Sequence, residues 1–261
     1  MRKSLLAVLL AVAMLLGYAP TAMAAGQPKV TEVAAIRKAL LGIDGLLAQS
    51  ASAKSAVTTT VDVPKDADSG VTVTQSGEST RITLPGAKNA GPAMRVASGI
   101  AAYSTGKSSA QAVQQTNNGS VRMLTVIKNA SAPTSYDYGF NAKGEAGEHF
   151  AVLTDGSAML LDAGGKIVGA VAKPWAKDAR GKAVATHYVA DGSTLTQVVD
   201  HRAKDVAYPV VADPFLIPAW AIIALVKCGL GGYAGWVASG GYRWFERAVM
   251  VGGGCFLARK A

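Results

Sequence analysis

The sequence predicts a mainly β protein, an antiparallel sandwich or meander, and three observations point to this class. Between residues 61 and 213, short alternating apolar and polar runs recur about every 8 to 12 residues, which is typical of all-β domains. Turn dipeptides separate the runs, including Asp155-Gly156, Gly164-Gly165 and Asp191-Gly192, whose residues tolerate the positive φ of tight hairpins. Half of the 261 residues are hydrophobic, which is enough to build a core.

The clearest strand candidates are five runs with strand-like patterning. They are 71–74, 81–84, 121–127, 158–161 and 166–169. The stretch 100–115 lacks a clear period, so either a short helix or a long loop fits it. A short helix is expected before the strands and an apolar, helical segment after them.

The chain starts with the three parts of a secretory signal peptide. A basic pair, Arg2-Lys3, precedes an apolar run at 5–16, and Ala22-Met23-Ala24 matches the Ala-x-Ala cleavage signal. An apolar run of about 12 residues is too short for an ordinary transmembrane helix. We therefore expect a signal peptide at 1–24, cleavage near Ala24, and a secreted or cell-envelope-associated protein.

Residues 25–49 are expected to form an N-terminal helix, followed by a linker at 50–60. Thr31 is a candidate N-cap, and Glu32 lies in the first turn of a helical pattern over 31–48. Gly42 and Gly45 weaken the second half of that pattern. The linker contains almost only Ser, Ala and Thr, a composition typical of flexible connections.

The composition changes sharply after Pro214, where we place the boundary between a β-rich domain at 61–214 and a C-terminal segment at 215–261. The segment holds eight of the 17 aromatic residues and nine of the 29 glycines. Its net charge is +4, more than half of the +7 expected for the mature chain. Cationic and aromatic residues together favour an anionic membrane surface over nucleic acid as the partner.

The only two cysteines, Cys228 and Cys255, both lie in this segment. In an oxidising compartment an even pair is expected to form a disulfide. Closing a loop of this length would stabilise the closed state by roughly 3 to 4 kcal/mol. Two buried thiols are the alternative, and a zinc site is disfavoured because the segment contains no histidine.

Membrane contact is predicted for aromatic and basic side chains of the segment, since Trp and Tyr rings suit the interface and cations suit anionic headgroups. These residues are Trp220, Lys227, Tyr233, Trp236, Arg243, Trp244 and Arg247. Gly231, Gly235 and Ser239 recur every four residues and would allow close helix packing and self-association. The alternative is a pair of apolar helices that fold onto the β domain and enlarge its core.

Four stretches in the second half of the β-rich region are distinctive. They are 135–140, 173–178, 186–188 and the closing Tyr-Pro-Val-Val-Ala-Asp-Pro segment at 208–214. Together they resemble exported proteins of actinomycete bacteria, which share a β-rich domain and carry varied, often apolar C-terminal segments. The resemblance covers about residues 120–214. It implies a largely uncharacterised β-rich domain, and it carries over no catalytic residues.

Common enzyme motifs are absent from the sequence, and the spacing of the carboxylates singles out no pair for glycoside hydrolysis. It contains no Gly-x-Ser-x-Gly nucleophile elbow, no His-Glu-x-x-His and no Cys-x-x-Cys. The three histidines are His149, His187 and His201. His201 follows Asp200 directly, which on a strand would point the two side chains to opposite faces. We expect solvent-facing or turn histidines, no catalytic residue and no cofactor.

One pattern resembles the start of a calcium loop. Asp66-x-Asp68-x-Gly70 has the right opening, but Gly77 stands where an EF-hand places its bidentate Glu. A polar turn between strands is therefore the better interpretation, and no metal is expected.

These observations predict an exported, non-enzymatic protein with a membrane-active, bacteriocin-like antimicrobial C-terminal segment, released by proteolysis near Asp213-Pro214. Its expected partner is an anionic lipid membrane or the cell envelope. The alternative is a cell-envelope binding or structural module that its C-terminal segment anchors. A third class, an exported hydrolase, would need His187 or His201 beside an acid in a cleft.

Overall fold

A computed structural model describes residues 27–50, 59–75, 78–116, 120–142 and 147–217. The predicted mainly β class is confirmed there, with one α-helix, α1 at Gln27–Leu41, and sixteen strands. The strands are β1 Thr59–Asp62, β2 Val71–Gln75, β3 Glu78–Thr83, β4 Met94–Ala97, β5 Ile100–Ser104, β6 Ser109–Gln115, β7 Val121–Ile127, β8 Ser135–Ala142, β9 His149–Val152, β10 Ala158–Leu161, β11 Ile167–Val171, β12 Trp175–Lys177, β13 Thr186–Asp191, β14 Thr194–Val199, β15 Val210–Asp213 and β16 Phe215–Ile217.

The strands form two antiparallel sheets that pack face to face. The smaller sheet has the order β1-β2-β3-β8-β14-β13. The larger runs β4-β5-β6-β7-β16-β11-β10-β9, with β15 between β7 and β12. One apolar core joins both sheets, including Ile82 and Phe140 from the smaller and Tyr103 and Met123 from the larger. Shared burial of two inner faces is the packing of a β sandwich.

The predicted turn dipeptides lie between paired strands. Asp155-Gly156 joins β9 to β10, Gly164-Gly165 joins β10 to β11, and Asp191-Gly192 joins β13 to β14. The second residue of each dipeptide has a positive φ, which glycine adopts without strain. These turns therefore form where the sequence predicts them.

The stretch 100–115, for which the sequence left a helix or a loop open, forms β5 and β6. Nearly every residue of β6 is buried, because the smaller sheet covers one face of the larger sheet and α1 covers the other. A strand buried on both faces shows no alternation of apolar and polar residues. The polar residues Gln111 and Gln114 are also buried there, so the sequence of the strand does not show an apolar run either.

The helix α1 packs on the outer face of the larger sheet. Ile36 and Leu40 share a buried cluster with Ile100, Leu124 and Val211 of the sheet. This cluster lies on the side of the sheet that faces away from the sandwich core. The N-terminal helix therefore forms a third layer over the centre of the larger sheet.

The helix begins and ends earlier than its pattern predicts. It starts at Gln27, so Thr31 lies inside the helix and is not its N-cap. Pro28 fits the first turn, where a missing N–H costs no intrahelical bond. The helix ends at Leu41, directly before Gly42, which agrees with the weakness of the second half of the pattern.

The last two strands, β15 and β16, lie end to end along β7. Ala212 pairs with Thr125 in β15, and Phe215 pairs with Arg122 in β16, so the register continues unbroken across Pro214. The Pro214 carbonyl accepts a hydrogen bond from the Met123 N–H at 3.0 Å. The larger sheet thus extends to residue 217, three residues beyond the predicted boundary at Pro214.

Candidate functional site at the C-terminal junction

A buried ion pair lies where β7, β12 and β15 meet. Arg122 Nε is 2.9 Å from Asp213 Oδ2, and the two side chains are 2% and 1% exposed. The register places Asp213 opposite Leu124, two positions from Arg122, so all three side chains point to the same face. That face is the one that α1 and the residues after it cover.

The residues that follow α1 complete the surroundings of Arg122. Its Nη1 donates to Gln49 Oε1 at 3.0 Å and to Gln114 Oε1 at 3.2 Å. Gln114 Nε2 in turn donates to the Leu46 carbonyl at 2.6 Å and to Ser50 Oγ at 2.9 Å. Residues 46–50 therefore cover the ion pair and share in its hydrogen bonding.

The carboxyl group of Asp213 is poorly solvated by its surroundings. Within the described residues neither of its oxygens makes a well-aligned hydrogen bond, although Arg122 lies close. Burial raises the pKa of Asp213 to about 7, while Arg122 and Trp175 keep it from rising further. Desolvation disfavours the carboxylate more than its neighbours restore it. Burial therefore makes this carboxyl easier to protonate than an exposed aspartate, even though Arg122 lies beside it.

The main-chain carbonyl of Asp213 has its own contact, with Tyr188 on β13. The Tyr188 hydroxyl donates to this carbonyl oxygen at 3.5 Å. Burial raises the pKa of Tyr188 well above its ordinary value, so the phenol remains a donor. A phenol thus contacts the main-chain carbonyl of Asp213, while a guanidinium lies against its side-chain carboxyl.

A second polar cluster lies inside the sandwich core. Thr125 Oγ1 is 2.7 Å from the hydroxyl of Tyr138, and it donates to Gln111 Oε1 at 3.0 Å. Tyr138 is fully buried, and burial raises the pKa of its phenol. These three side chains hydrogen-bond one another between the two sheets, so a structural role accounts for their burial.

The predicted site residues of the C-terminal segment lie outside the described residues. They are the disulfide pair Cys228 and Cys255, the membrane-contacting set Trp220, Lys227, Tyr233, Trp236, Arg243, Trp244 and Arg247, and the packing set Gly231, Gly235 and Ser239. The disulfide, the membrane contacts and the helix packing all stay predictions.

The histidines occupy different environments. His149 and His187 are exposed, on β9 and β13. His201 lies in a turn after β14 and is fully buried. Its Nδ1 is 2.9 Å from the Tyr208 hydroxyl, and its Nε2 is 2.9 Å from the Pro133 carbonyl oxygen. Both ring nitrogens of His201 are therefore engaged in holding neighbouring turns together.

The candidate calcium loop forms a single turn. Asp66 and Asp68 are both exposed around the 3-10 turn at Ala67–Ser69. Over the described ranges no group of three or more His, Cys, Asp or Glu side chains is placed to hold a metal ion. None of the helices in the part of the chain that the structure describes is long and apolar enough to cross a membrane.

Comparison of the chain with protein-family models, with curated proteins and with solved structures returned no match. The resemblance of residues 120–214 to exported actinomycete proteins therefore stays a prediction.

Sequence reasoning missed Arg122, Gln114 and Tyr188 as members of this site. A weak signal was present, because Arg122 is the only charged residue in the run at 121–127 and Gln114 precedes a second glutamine in a buried strand. A charged residue within such a run requires a buried partner. The sequence does not show that Asp213 is this partner.

Proposed function

We propose that the protein is an exported, non-enzymatic carrier of a membrane-active, bacteriocin-like C-terminal segment. The observation that carries this proposal is the position of β16. Its residues, Phe215–Ile217, pair with β7 on one side and β11 on the other, at the point where the composition changes. The segment thus starts from an interior strand of the sandwich.

This attachment gives the β-rich part a role in presenting the segment. Apolar segments with many aromatic residues associate readily when they are exposed. An interior strand holds the start of such a segment by main-chain hydrogen bonds on both sides, which an exposed chain terminus lacks. In the proposed carrier, the folded β-rich part therefore holds the start of the segment.

The proposed activity comes from the composition of the segment. Its net charge of +4 and its three tryptophans favour binding to anionic headgroups, with aromatic rings at the interface. A disulfide between Cys228 and Cys255 would close the segment and reduce the entropy that it loses on binding. The target under this proposal is an anionic bacterial membrane.

Dye leakage from vesicles tests the activity. The full chain and an oxidised synthetic peptide of residues 214–261 are added to vesicles with and without phosphatidylglycerol. We expect leakage by the peptide at micromolar concentration, with anionic vesicles only. Replacing Lys227, Arg243 and Arg247 by Gln should weaken binding roughly 100-fold, since each cation contributes about 1 kcal/mol near an anionic surface.

The reduced and alkylated peptide is the matched control for the disulfide. Absence of leakage by every form at micromolar peptide would reject membrane activity. Binding without leakage, together with a full-length chain in the cell envelope, would favour the alternative of an anchored envelope module. Intact masses of the species in medium and envelope, before and after reduction, separate these two outcomes.

A further inference from the structure

Asp213–Pro214 is the only Asp–Pro peptide bond in the chain. An aspartic acid side chain can attack its own main-chain carbonyl carbon, because a five-membered ring results and the attack is intramolecular. The proline nitrogen departs readily in this reaction, because it is more basic than that of other peptide bonds and accepts the proton that its departure requires. The chemistry of the two residues thus makes this bond prone to self-cleavage.

The surroundings of the bond fit this chemistry. Arg122 Nε lies 2.9 Å from Asp213 Oδ2, so Oδ1 is the oxygen farther from this cation and is assigned as the attacking atom. Trp175 also interacts with the carboxyl group, through its side chain and its backbone. Tyr188 Oη donates to the carbonyl oxygen of Asp213, where negative charge develops during attack. A donor aimed at that oxygen lowers the barrier of acyl transfer. Burial keeps water from competing for both groups.

We infer that the folded chain cleaves itself between Asp213 and Pro214, with the Asp213 carboxyl as nucleophile and Tyr188 as the donor to the developing oxyanion. Arg122 acts as a positioning residue in this reaction, because it fixes the carboxyl group and does not touch the breaking bond.

The reaction proceeds in two balanced steps. In the first, Asp213 Oδ1 forms a bond to the main-chain carbonyl carbon, the bond from that carbon to Pro214 nitrogen breaks, and the carboxyl proton moves to the nitrogen. The products are a cyclic anhydride at Asp213 and a free amine at Pro214. In the second step water opens the anhydride and leaves two carboxyl groups on Asp213. The net change is the consumption of one water molecule for one peptide bond.

Departure of β16 makes the cleavage permanent. While Pro214 stays in place, its amine can attack the anhydride and restore the peptide bond. The strand is only three residues long, and it pairs with β7 and β11 through two residue pairs each. Such a short strand can leave the sheet, after which water reaches the anhydride. The released fragment then begins with Pro214.

The protonation of Asp213 gives the reaction its pH dependence. Arg122 from β7 and Trp175 from β12 contact this carboxyl, and Tyr188 from β13 and Tyr138 from β8 lie near enough to interact with its charge. Burial raises the pKa of Asp213 to about 7, so the form that carries the transferable proton increases as the pH falls toward neutrality and below. We expect the rate to rise as the pH falls through about 7.

Self-cleavage and membrane activity do not depend on each other. Cleavage is measured on the purified chain without any membrane, and leakage is measured with a synthetic segment that needs no cleavage. Either result can therefore fail while the other holds.

The test compares the folded and the unfolded chain at one pH. Purified full chain is incubated in buffer and in urea at about pH 5, and intact masses are followed over time. We expect fragments that end at Asp213 and begin at Pro214, formed at least about tenfold faster from the folded chain. Hydroxylamine at neutral pH should trap the anhydride as a hydroxamate on the fragment that ends at Asp213.

Four variants separate the roles, each with its fold checked by near-UV circular dichroism. Asp213→Glu should abolish cleavage, because its attack would have to close a six-membered ring, which forms far less readily. If the wild type is already cut before purification, this variant should be recovered as the full-length chain. Pro214→Ala should slow cleavage about tenfold or more. Tyr188→Phe should slow it by about tenfold, a modest loss for a donor at 3.5 Å. Arg122→Gln should move the pH midpoint of cleavage upward, which a loss of fold alone would not do.

Three results would each overturn the inference. The first is a folded chain that stays intact or is cut no faster than the chain in urea. The rate in urea is that of an ordinary, unassisted Asp–Pro bond. The second is a fragment that begins at a residue other than Pro214. The third is cleavage that persists at the wild-type rate in a folded Asp213→Glu or Tyr188→Phe variant.

Discussion

Gln114 donates its side-chain amide to the main-chain carbonyl of Leu46 at 2.6 Å and so ties the residues after α1 to an interior strand of the larger sheet. The same amide reaches Ser50, and the carbonyl oxygen of the side chain accepts from Arg122. A single fully buried side chain therefore joins the N-terminal layer to the ion pair at the C-terminal junction.

Replacement of Gln114 by Leu should destabilise the protein by about 3 kcal/mol. The change leaves the Leu46 carbonyl and the Arg122 guanidinium each without one buried partner, and such losses cost about 1 to 3 kcal/mol apiece. Urea unfolding followed by circular dichroism measures the effect. Gln115→Leu is the matched control, because that side chain makes one part-buried bond, to Thr59, and should cost under about 1 kcal/mol. Equal losses in the two variants would contradict the role of Gln114.

The buried carboxyl of Asp213 should make the protein less stable as the pH rises. Its folded pKa of about 7 exceeds the ordinary unfolded value, so the folded state binds the proton more tightly. The stabilisation is complete below the unfolded pKa of about 3.9 and is lost as the pH rises through about 7, by about 2 to 4 kcal/mol.

Urea unfolding at several pH values between these limits measures the slope of stability against pH. Asp213→Asn should flatten it, because no proton is then gained on folding. A wild-type protein that gains stability from about pH 4 to about pH 7 relative to Asp213→Asn would contradict this assignment.

Two tyrosines of β8 should respond oppositely to removal of their hydroxyl groups. The Tyr138 hydroxyl contacts Thr125 Oγ1 at 2.7 Å and donates to Gln111 Oε1 at 3.3 Å, so Tyr138→Phe should cost about 1 to 3 kcal/mol. The Tyr136 hydroxyl is buried without a hydrogen-bond partner among the described residues. Tyr136→Phe should therefore be neutral or stabilising by up to about 1 kcal/mol. Thermal unfolding of the pair checks both, and a larger loss for Tyr136→Phe would reverse the assignment.

The sequence predicts strands best where one face is polar or where turn residues bound a run. The runs at 71–74 and 158–161 lie in β2 and β10 because each strand has turn signals at its ends. The strands β5 and β6 were not predicted, since layers on both sides of the sheet bury them and remove the alternation. Burial on two faces is a tertiary property that a local pattern does not contain.

The candidate site was visible only in part. Asp213-Pro214 stood out as the end of the closing segment, but Arg122 shares a face with Asp213 only through the pairing of β7 with β15. The contact of Tyr188 with the Asp213 carbonyl depends on the packing of one sheet against the other. Pairing between distant strands and packing between sheets are set by the whole fold, so neither could be derived from spacing along the chain.

The contribution of Asp178 to stability should change with pH in the opposite direction to that of Asp213. Burial would raise the pKa of Asp178, but the backbone N–H groups of Ala207, Lys182 and Arg180 and the Arg180 side chain outweigh it and hold the pKa below its ordinary value. The N–H donors of Arg180 and Lys182 lie 2.9 Å from Oδ1, and that of Ala207 lies 3.1 Å from Oδ2. The ionised carboxylate therefore ties the turn after β12 to the segment before β15.

The stabilisation from Asp178 should be present above its unfolded pKa of about 3.9 and lost as the pH falls below that value. Asp178→Ala should lower the melting temperature at neutral pH, and the difference from the wild type should shrink as the pH falls below about 3.9, because the unfolded chain then gains a proton that the folded carboxylate resists. Asp162→Ala is the matched control, because Asp162 caps a similar turn through Gly164 and Lys166 but has no donor from a distant segment among its hydrogen bonds. We expect a smaller loss there, since only a local turn is released. If the two variants melt alike at neutral pH, the contact with Ala207 adds nothing, and the low pKa of Asp178 reflects its own turn alone.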